Sequence, residues 1–175
     1  MTKPHGFDPT EAEPHLLPLR PVGESTRLRH LVAAIVAESL QERRQRQLPP
    51  VRVEIDIPDQ HAASVDADTL RAGLLPLVRA ACQATALSHA TGAITPRLCE
   101  VVVTSIDTGT AIEIEVADSG SDSPGEIAAA TVAAVAKARA VAERCGGGVE
   151  LVACPQGGLA VTLQFPHRRV RGLAA

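Results

Sequence analysis

The sequence predicts an α+β fold (α/β in the broad sense), a two-layer sandwich in which one mixed five-stranded sheet carries three helices on one face. Apolar residues recur at helical spacing in three segments, and five short runs are rich in β-branched residues or alternate apolar with polar ones. Their order is helix, strand, helix, strand, strand, helix, strand, strand. A 175-residue chain with 45% hydrophobic content and a formal net charge of -3 suits one globular domain.

The first half of this domain contains two predicted helices separated by a strand. The first helix is expected to begin near Glu24, and its apolar stripe ends in a charged run before Pro49. Residues 51–57 alternate apolar and polar side chains, which is the period of a half-buried strand. Asp66 is expected to cap the second helix, whose buried face extends to about Ala86.

The second half contains two predicted hairpins around the third helix. Residues 101–106 and 111–116 are rich in β-branched side chains and face each other across a turn, which predicts the first hairpin. The third helix is expected to begin at Ser123, with Glu126 completing a capping box, and to end at the glycine run 146–148. The second hairpin closes the domain. The residues expected to lie buried between the two layers are Leu74, Leu77, Val78, Val103, Ile114, Val135 and Leu163.

The flanking segments differ in composition from the domain at residues 24–167. Residues 1–23 contain five prolines in a polar background, which predicts an extended or disordered leader. Residues 168–175 form a short basic tail. No run approaches the roughly 18 apolar residues of a membrane helix, and no signal peptide is recognisable, so we expect a cytoplasmic protein that does not bind membranes.

Composition also argues against two kinds of binding site. The chain has 2 Phe and no Trp or Tyr, so stacking of nucleic-acid bases is not expected, and its acidic net charge argues in the same direction. The 4 cysteines form no CxxC pair, and the histidines add no metal-ligand spacing. We therefore expect reduced, mostly buried thiols, no metal site and no nucleic-acid partner.

Three motifs occur in a characteristic order. Residues 66–81 read Asp-x-x-x-Leu-x-x-x-Leu-x-Pro-Leu-Val-x-Ala-Ala, residues 116–120 read Val-Ala-Asp-Ser-Gly, and residues 146–166 contain a glycine run, a Gly-Gly turn and a final Leu-Gln-Phe-Pro. They are similar, respectively, to the N-box helix, the Asp-x-Gly box and the closing hairpin of the catalytic ATP-binding domain of sensor histidine kinases. The resemblance covers about residues 25–166 and implies a GHKL-type (Bergerat-like) ATPase fold.

The resemblance also implies that the phosphate end of the nucleotide site is degenerate. The family places asparagines at the positions of Pro76 and Ala80, and the second one binds magnesium through its amide oxygen, which a methyl group cannot do. Pro76 should also kink the helix near Gly73, at a cost of about 3 kcal/mol unless the fold absorbs it. The family's glycine-rich lid has no counterpart, since five residues separate Gly120 from Glu126. No catalytic residue and no magnesium site are therefore assigned.

The adenine end of the site retains its residue types. The resemblance implies that the Asp118 carboxylate accepts a hydrogen bond from the adenine amino group, while Gly120 allows the backbone to approach the ring. The alternative is that Asp-Ser-Gly is an ordinary turn after a strand. Leu159 stands where the family often has a threonine that would support Asp118.

Three functions remain open from the sequence. The first is a histidine-kinase-like signalling domain that binds ATP, ADP or adenosine weakly and does not transfer phosphate alone. The second is a non-catalytic interaction module that docks a kinase or response regulator of a two-component-type pathway. The third is an active ATPase whose metal site is rebuilt from Asp122, Glu126 or Glu115. His30, on the first helix, is interpreted as a surface or packing residue and not as a phosphoacceptor.

Overall fold

The computed structural model describes residues 25–90, 100–120, 128–154 and 157–167. The predicted leader and basic tail lie outside these ranges. None of the described helices is both long and apolar enough to cross a membrane. In chain order, the elements are β1 (Thr26–Arg27), α1 (Leu28–Gln45), β2 (Arg52–Asp56), β3 (Ala62–Ala63), α2 (Ala67–Ala90), β4 (Glu100–Asp107), β5 (Ala111–Asp118), α3 (Ala129–Arg144), β6 (Gly148–Ala153) and β7 (Leu159–Pro166).

The main sheet has five strands in the order β2-β4-β5-β7-β6. Strand β2 is parallel to β4, and every other neighbouring pair is antiparallel, so the sheet is mixed as predicted. Both predicted hairpins are present as β4–β5 and β6–β7. The first turns at Gly109, which has a φ of 78° and donates its backbone N–H to the Asp107 carboxylate over 2.8 Å.

The core lies between one face of this sheet and the three helices. Side chains of the strands alternate between this buried face and the opposite, partly exposed face. All seven residues predicted to be buried between the layers are buried. Helix α2 runs unbroken through Pro76, and a Cβ at Gly73 would lie 3.3 Å from Val141 Cγ1 and 3.4 Å from Leu163 Cδ2. The absence of a side chain at Gly73 therefore lets α2 pack closely on α3 and β7.

The face of the sheet that points away from the helices is acidic. Among the residues that the structure describes, it carries six carboxylates and one arginine, a formal charge of -5, whereas the whole chain carries -3. This concentration of charge was not predicted from the sequence. The charged residues on this outer face are Arg52, Glu54, Asp56, Glu100, Glu113, Glu115 and Glu150.

The observed start of α2 agrees with the sequence prediction, whereas the observed start of α3 differs from it. Asp66 caps α2 as predicted, because its Oδ1 accepts the backbone N–H of Thr69 over 2.9 Å. The prediction that α3 begins at Ser123 is wrong: the helix begins at Ala129, and Ala128 before it has a φ of -54° and a ψ of 141°, which is not helical. The predicted capping box therefore does not form the start of α3. Ser123 and Glu126 themselves lie outside the described residues.

A small second sheet was not anticipated. Strand β1 pairs antiparallel with β3, and Thr26 Oγ1 donates a hydrogen bond to the carbonyl of Val65 over 2.8 Å. Because β1 occupies the chain just before Leu28, α1 starts there and not near Glu24. Strands of two residues are too short to show a period in the sequence.

Candidate functional site

Asp118 is the last residue of β5 and lies on the buried face of the sheet. Its side chain follows Ile112, Ile114 and Val116 in the alternation of that strand, so it points toward the helical layer. It is 8% exposed, which is unusual for an aspartate. The structure therefore brings one carboxylate to the edge of the core.

Two backbone groups hold this carboxylate. Asp118 Oδ1 accepts the N–H of Gly120 over 2.8 Å, and the N–H of Leu159 also donates to the carboxylate. Burial raises the pKa of Asp118, and these two hydrogen bonds oppose the rise only in part. A carboxylate offers about four acceptor positions, so this one retains capacity for a further donor.

The glycines around Asp118 are required by close contacts within the chain. A Cβ at Gly120 would lie 2.5 Å from Asp118 Oδ1 and 3.1 Å from Ala84 Cβ. Gly158 has a φ of 87°, and a Cβ there would overlap the carbonyl oxygen of Asp118. The sequence did not assign Gly158 to the site. The sequence feature that could have pointed to Gly158 is the Gly-Gly turn of the last hairpin, which brings Leu159 back beside Asp118.

Helix α2 presents a row of apolar side chains toward this corner. Pro76, Ala80 and Ala84 are spaced at i, i+4 and i+8 and so lie along one helix face, and Ala84 lies beside Gly120. None of these side chains carries an oxygen, whereas magnesium requires oxygen ligands. Within the described ranges, no three His, Cys, Asp or Glu residues are grouped so that they could hold a metal ion. The side chains of this row do not fit a magnesium ion.

Two thiols also lie near Asp118, which the sequence reading missed. Burial is the main cause that raises the pKa of Cys82 to about 11, and the charge of Asp118 adds to the rise while Arg43 opposes it. The pKa of Cys154 is raised by burial first and then by the charges of Asp118 and Glu115. Both thiols are therefore protonated at neutral pH and are weak nucleophiles. Cys82 is buried and Cys154 half-buried, so the expectation of mostly buried thiols is met only in part.

Of the remaining candidates, the structure describes Glu115 and His30, and it does not bring either of them to this corner. Glu115 is three residues before Asp118 on the same strand and therefore points to the opposite face of the sheet. Glu115 therefore does not lie beside Asp118, and the hypothesis of a metal site rebuilt from Asp122, Glu126 or Glu115 stays a prediction. Asp122 and Glu126 lie outside the described residues. His30 is exposed on α1, in agreement with its interpretation as a surface residue.

Comparison with known proteins identifies the fold. No protein-family model matches the chain, and no curated protein is similar to it in sequence. Among solved structures, the catalytic domain of histidine kinase ThkA in a nucleotide-free form is similar, with a TM-score of 0.61 and 15% identity. The match covers 82% of this chain and 95% of that domain. The chain therefore has the fold of a histidine kinase catalytic domain, as its motifs predicted.

Proposed function

We propose that this domain is a signalling module that binds adenine compounds weakly at the Asp118 corner, without magnesium, and does not transfer phosphate by itself. The observation that carries the proposal is the contrast between the two ends of the site. Asp118 is a buried acceptor with unused capacity, suited to the amino group of adenine. The row of Pro76, Ala80 and Ala84 offers no oxygen where a metal would bridge phosphates.

Calorimetric titration with adenosine, ADP and ATP, each with magnesium or with chelator, tests this proposal. We expect weak binding in which adenosine and ATP have similar affinities, and no gain from magnesium. A tenfold or larger gain with magnesium, about 1.4 kcal/mol, would show that other residues hold the metal and would overturn the proposal. The absence of any binding at millimolar concentration would also overturn it.

A second candidate function is a non-catalytic protein-interaction module, and the outer sheet face favours it. Arg52 lies 3.4 Å from Glu54 and 3.2 Å from Glu100, so the one arginine of this face is already shared by two carboxylates. The other four carboxylates form no salt bridge with another described residue. Such a surface suits a signalling partner with basic side chains, because complementary charge accelerates association. This function becomes the leading one if no adenine compound binds.

A further inference from the structure

A groove of about 480 Å³ lies between the C-terminal halves of α1 and α2, and its volume is in the range of small-molecule pockets. Its walls are largely apolar, as is typical of such pockets, and include Leu48, Pro49, Ala86 and Leu87. Leu48 and Leu87 are 44% and 54% exposed and are among the most exposed large hydrophobic side chains of the described protein. A ligand with an apolar body would remove this surface from water, which is favourable.

Two of the arginines that line the groove are already paired with carboxylates. Arg46 lies 2.8 Å from Glu42. Arg79 lies 2.7 Å from Glu42 and 3.4 Å from Glu38. Because the charges of Arg46 and Arg79 are compensated within the chain, we assign neither of them to a ligand.

Arg43 also lines the groove, and it forms no salt bridge with a described residue. Its Nη2 donates a hydrogen bond to the carbonyl of Pro49 over 2.8 Å, but this neutral acceptor does not compensate the charge of the guanidinium. Its Nε is buried and has no hydrogen-bond partner in the described part of the chain. A half-buried cation without a counterion is unfavourable, because burial penalises an unpaired charge. A carboxylate beside the terminal nitrogens of Arg43 would supply the missing negative charge.

We propose that this groove binds a small carboxylic acid with a single alkyl chain. The carboxylate pairs with the terminal nitrogens of Arg43, and the alkyl chain lies over Leu48 and Leu87. The apolar walls alone would accept any apolar molecule, and it is the uncompensated guanidinium that selects an acid. The volume is in the lower half of the range of roughly 300 to 1,000 Å³ for ligand pockets, so we assign one short chain and not a two-chain lipid.

The groove is separate from the Asp118 corner. Gln83 and Leu87 of α2 line the groove, whereas Ala84 of the same helix lies against Gly120. The two sites therefore use different faces of α2. The proposal does not rest on nucleotide binding, and it would stand if adenine compounds did not bind.

Titration of the full-length protein with octanoate, and with octanol as its uncharged counterpart, tests the class of ligand. We expect saturable binding of octanoate in calorimetry, accompanied by NMR shifts of the Leu48 and Leu87 methyl groups. Octanol should bind at least about tenfold more weakly, because it lacks the charge-assisted hydrogen bond to Arg43. The proposal is overturned if octanoate does not bind at millimolar concentration, if octanol binds as tightly, or if the shifted methyl groups lie away from the groove.

Two pairs of variants test the assigned residues. Arg43→Gln should weaken octanoate binding at least about tenfold and leave octanol binding unchanged, whereas Arg44→Gln should change neither. Arg44 is the matched control, because it is the next residue of α1, carries the same charge and is exposed outside the groove. Leu87→Asp should abolish octanoate binding, whereas Ile106→Asp, at a 60% exposed position on the outer sheet face, should not.

Unchanged chemical shifts of the core amides establish that these variants are folded. Equal octanoate affinity in Arg43→Gln and Arg44→Gln would contradict the role of Arg43 and overturn the proposal. Octanoate binding that survives Leu87→Asp would also overturn it. If Arg43→Gln does not fold, the comparison of octanoate with octanol in the wild-type protein decides whether the groove selects an acid.

Discussion

At the scale of single residues, Asp118 shows how burial and hydrogen bonding compete. Burial disfavours the ionised carboxylate, and the N–H groups of Gly120 and Leu159 favour it, with burial the larger effect. The folded-state pKa is therefore above the ordinary value of 3.8. Between these two values the folded state binds more protons than the unfolded chain, so the free energy of unfolding contributed by this group decreases as pH rises through that interval.

The substitution Asp118→Asn should abolish adenine binding while leaving the domain folded. The carboxylate would accept a charge-assisted hydrogen bond worth about 1.5 to 3 kcal/mol, and its loss from a weak site would remove detectable affinity. The variant should also lack the pH dependence of stability described for Asp118. Glu115→Gln is the control, because it removes a carboxylate from the outer face of the same strand. Calorimetry and denaturation at several pH values measure both effects; equal adenine affinity in wild type and Asp118→Asn would make Asp118 only a turn residue.

At the scale of elements, an exposed contact joins the β4–β5 hairpin to the end of β7. Asp107 Oδ1 lies 2.9 Å from Nε2 of His167, and it also accepts the N–H of Gly109. The hydrogen bond from His167 is the main cause that lowers the pKa of Asp107, and the bond from Gly109 adds to it. Because its folded-state pKa is lowered, ionised Asp107 stabilises the folded protein at pH values above its unfolded-state pKa of 3.8. This stabilisation is lost as the pH falls through the folded-state pKa.

The substitution His167→Ala removes the hydrogen bond to Asp107 and should raise the pKa of Asp107 toward its ordinary value. The remaining bond from Gly109 should keep the pKa somewhat below that value. The measurement is an NMR titration of the Asp107 carboxyl carbon in the wild-type and variant proteins. An unchanged titration would show that Gly109 alone holds the carboxylate. His30→Ala, at an exposed position on α1, provides the control.

At the scale of the whole molecule, an almost entirely aliphatic core joins the two layers. Leu163 of β7 is fully buried and lies against the position of Gly73 in α2, where a Cβ would lie 3.4 Å from Leu163 Cδ2. Close packing at this contact leaves little room for neighbouring side chains to fill a cavity. The stability of the domain therefore depends strongly on the size of the residue at position 163.

The substitution Leu163→Ala should lower the free energy of unfolding by about 2 to 5 kcal/mol, because it removes buried apolar surface and leaves a cavity. Val152→Ala should change it by less than about 0.5 kcal/mol, since Val152 on the neighbouring strand is 50% exposed. Urea denaturation of both variants measures the two values. Similar losses in both would contradict the assignment of the core to the helix-facing side of the sheet.

The sequence by itself determined the order of the three helices and of the five strands of the main sheet, the core-facing residues and the Asp66 cap. These features are local, because periodicity repeats within one element and a cap joins residues three positions apart. The motif resemblance added the histidine-kinase-like fold, which the similarity to the ThkA domain supports.

Only the tertiary structure decided which distant residues meet. The hydrogen bond from Leu159 to Asp118, the contact of Gly120 with Ala84 and the groove between α1 and α2 all join elements far apart in the chain. The tertiary structure also has α3 begin at Ala129, whereas the sequence predicted a start at Ser123 because Ser123 and Glu126 carry the local pattern of a capping box. Local patterns state which conformations a segment tolerates, whereas packing against other elements selects one of them, and for that reason the surroundings of Asp118 emerged only from the folded chain.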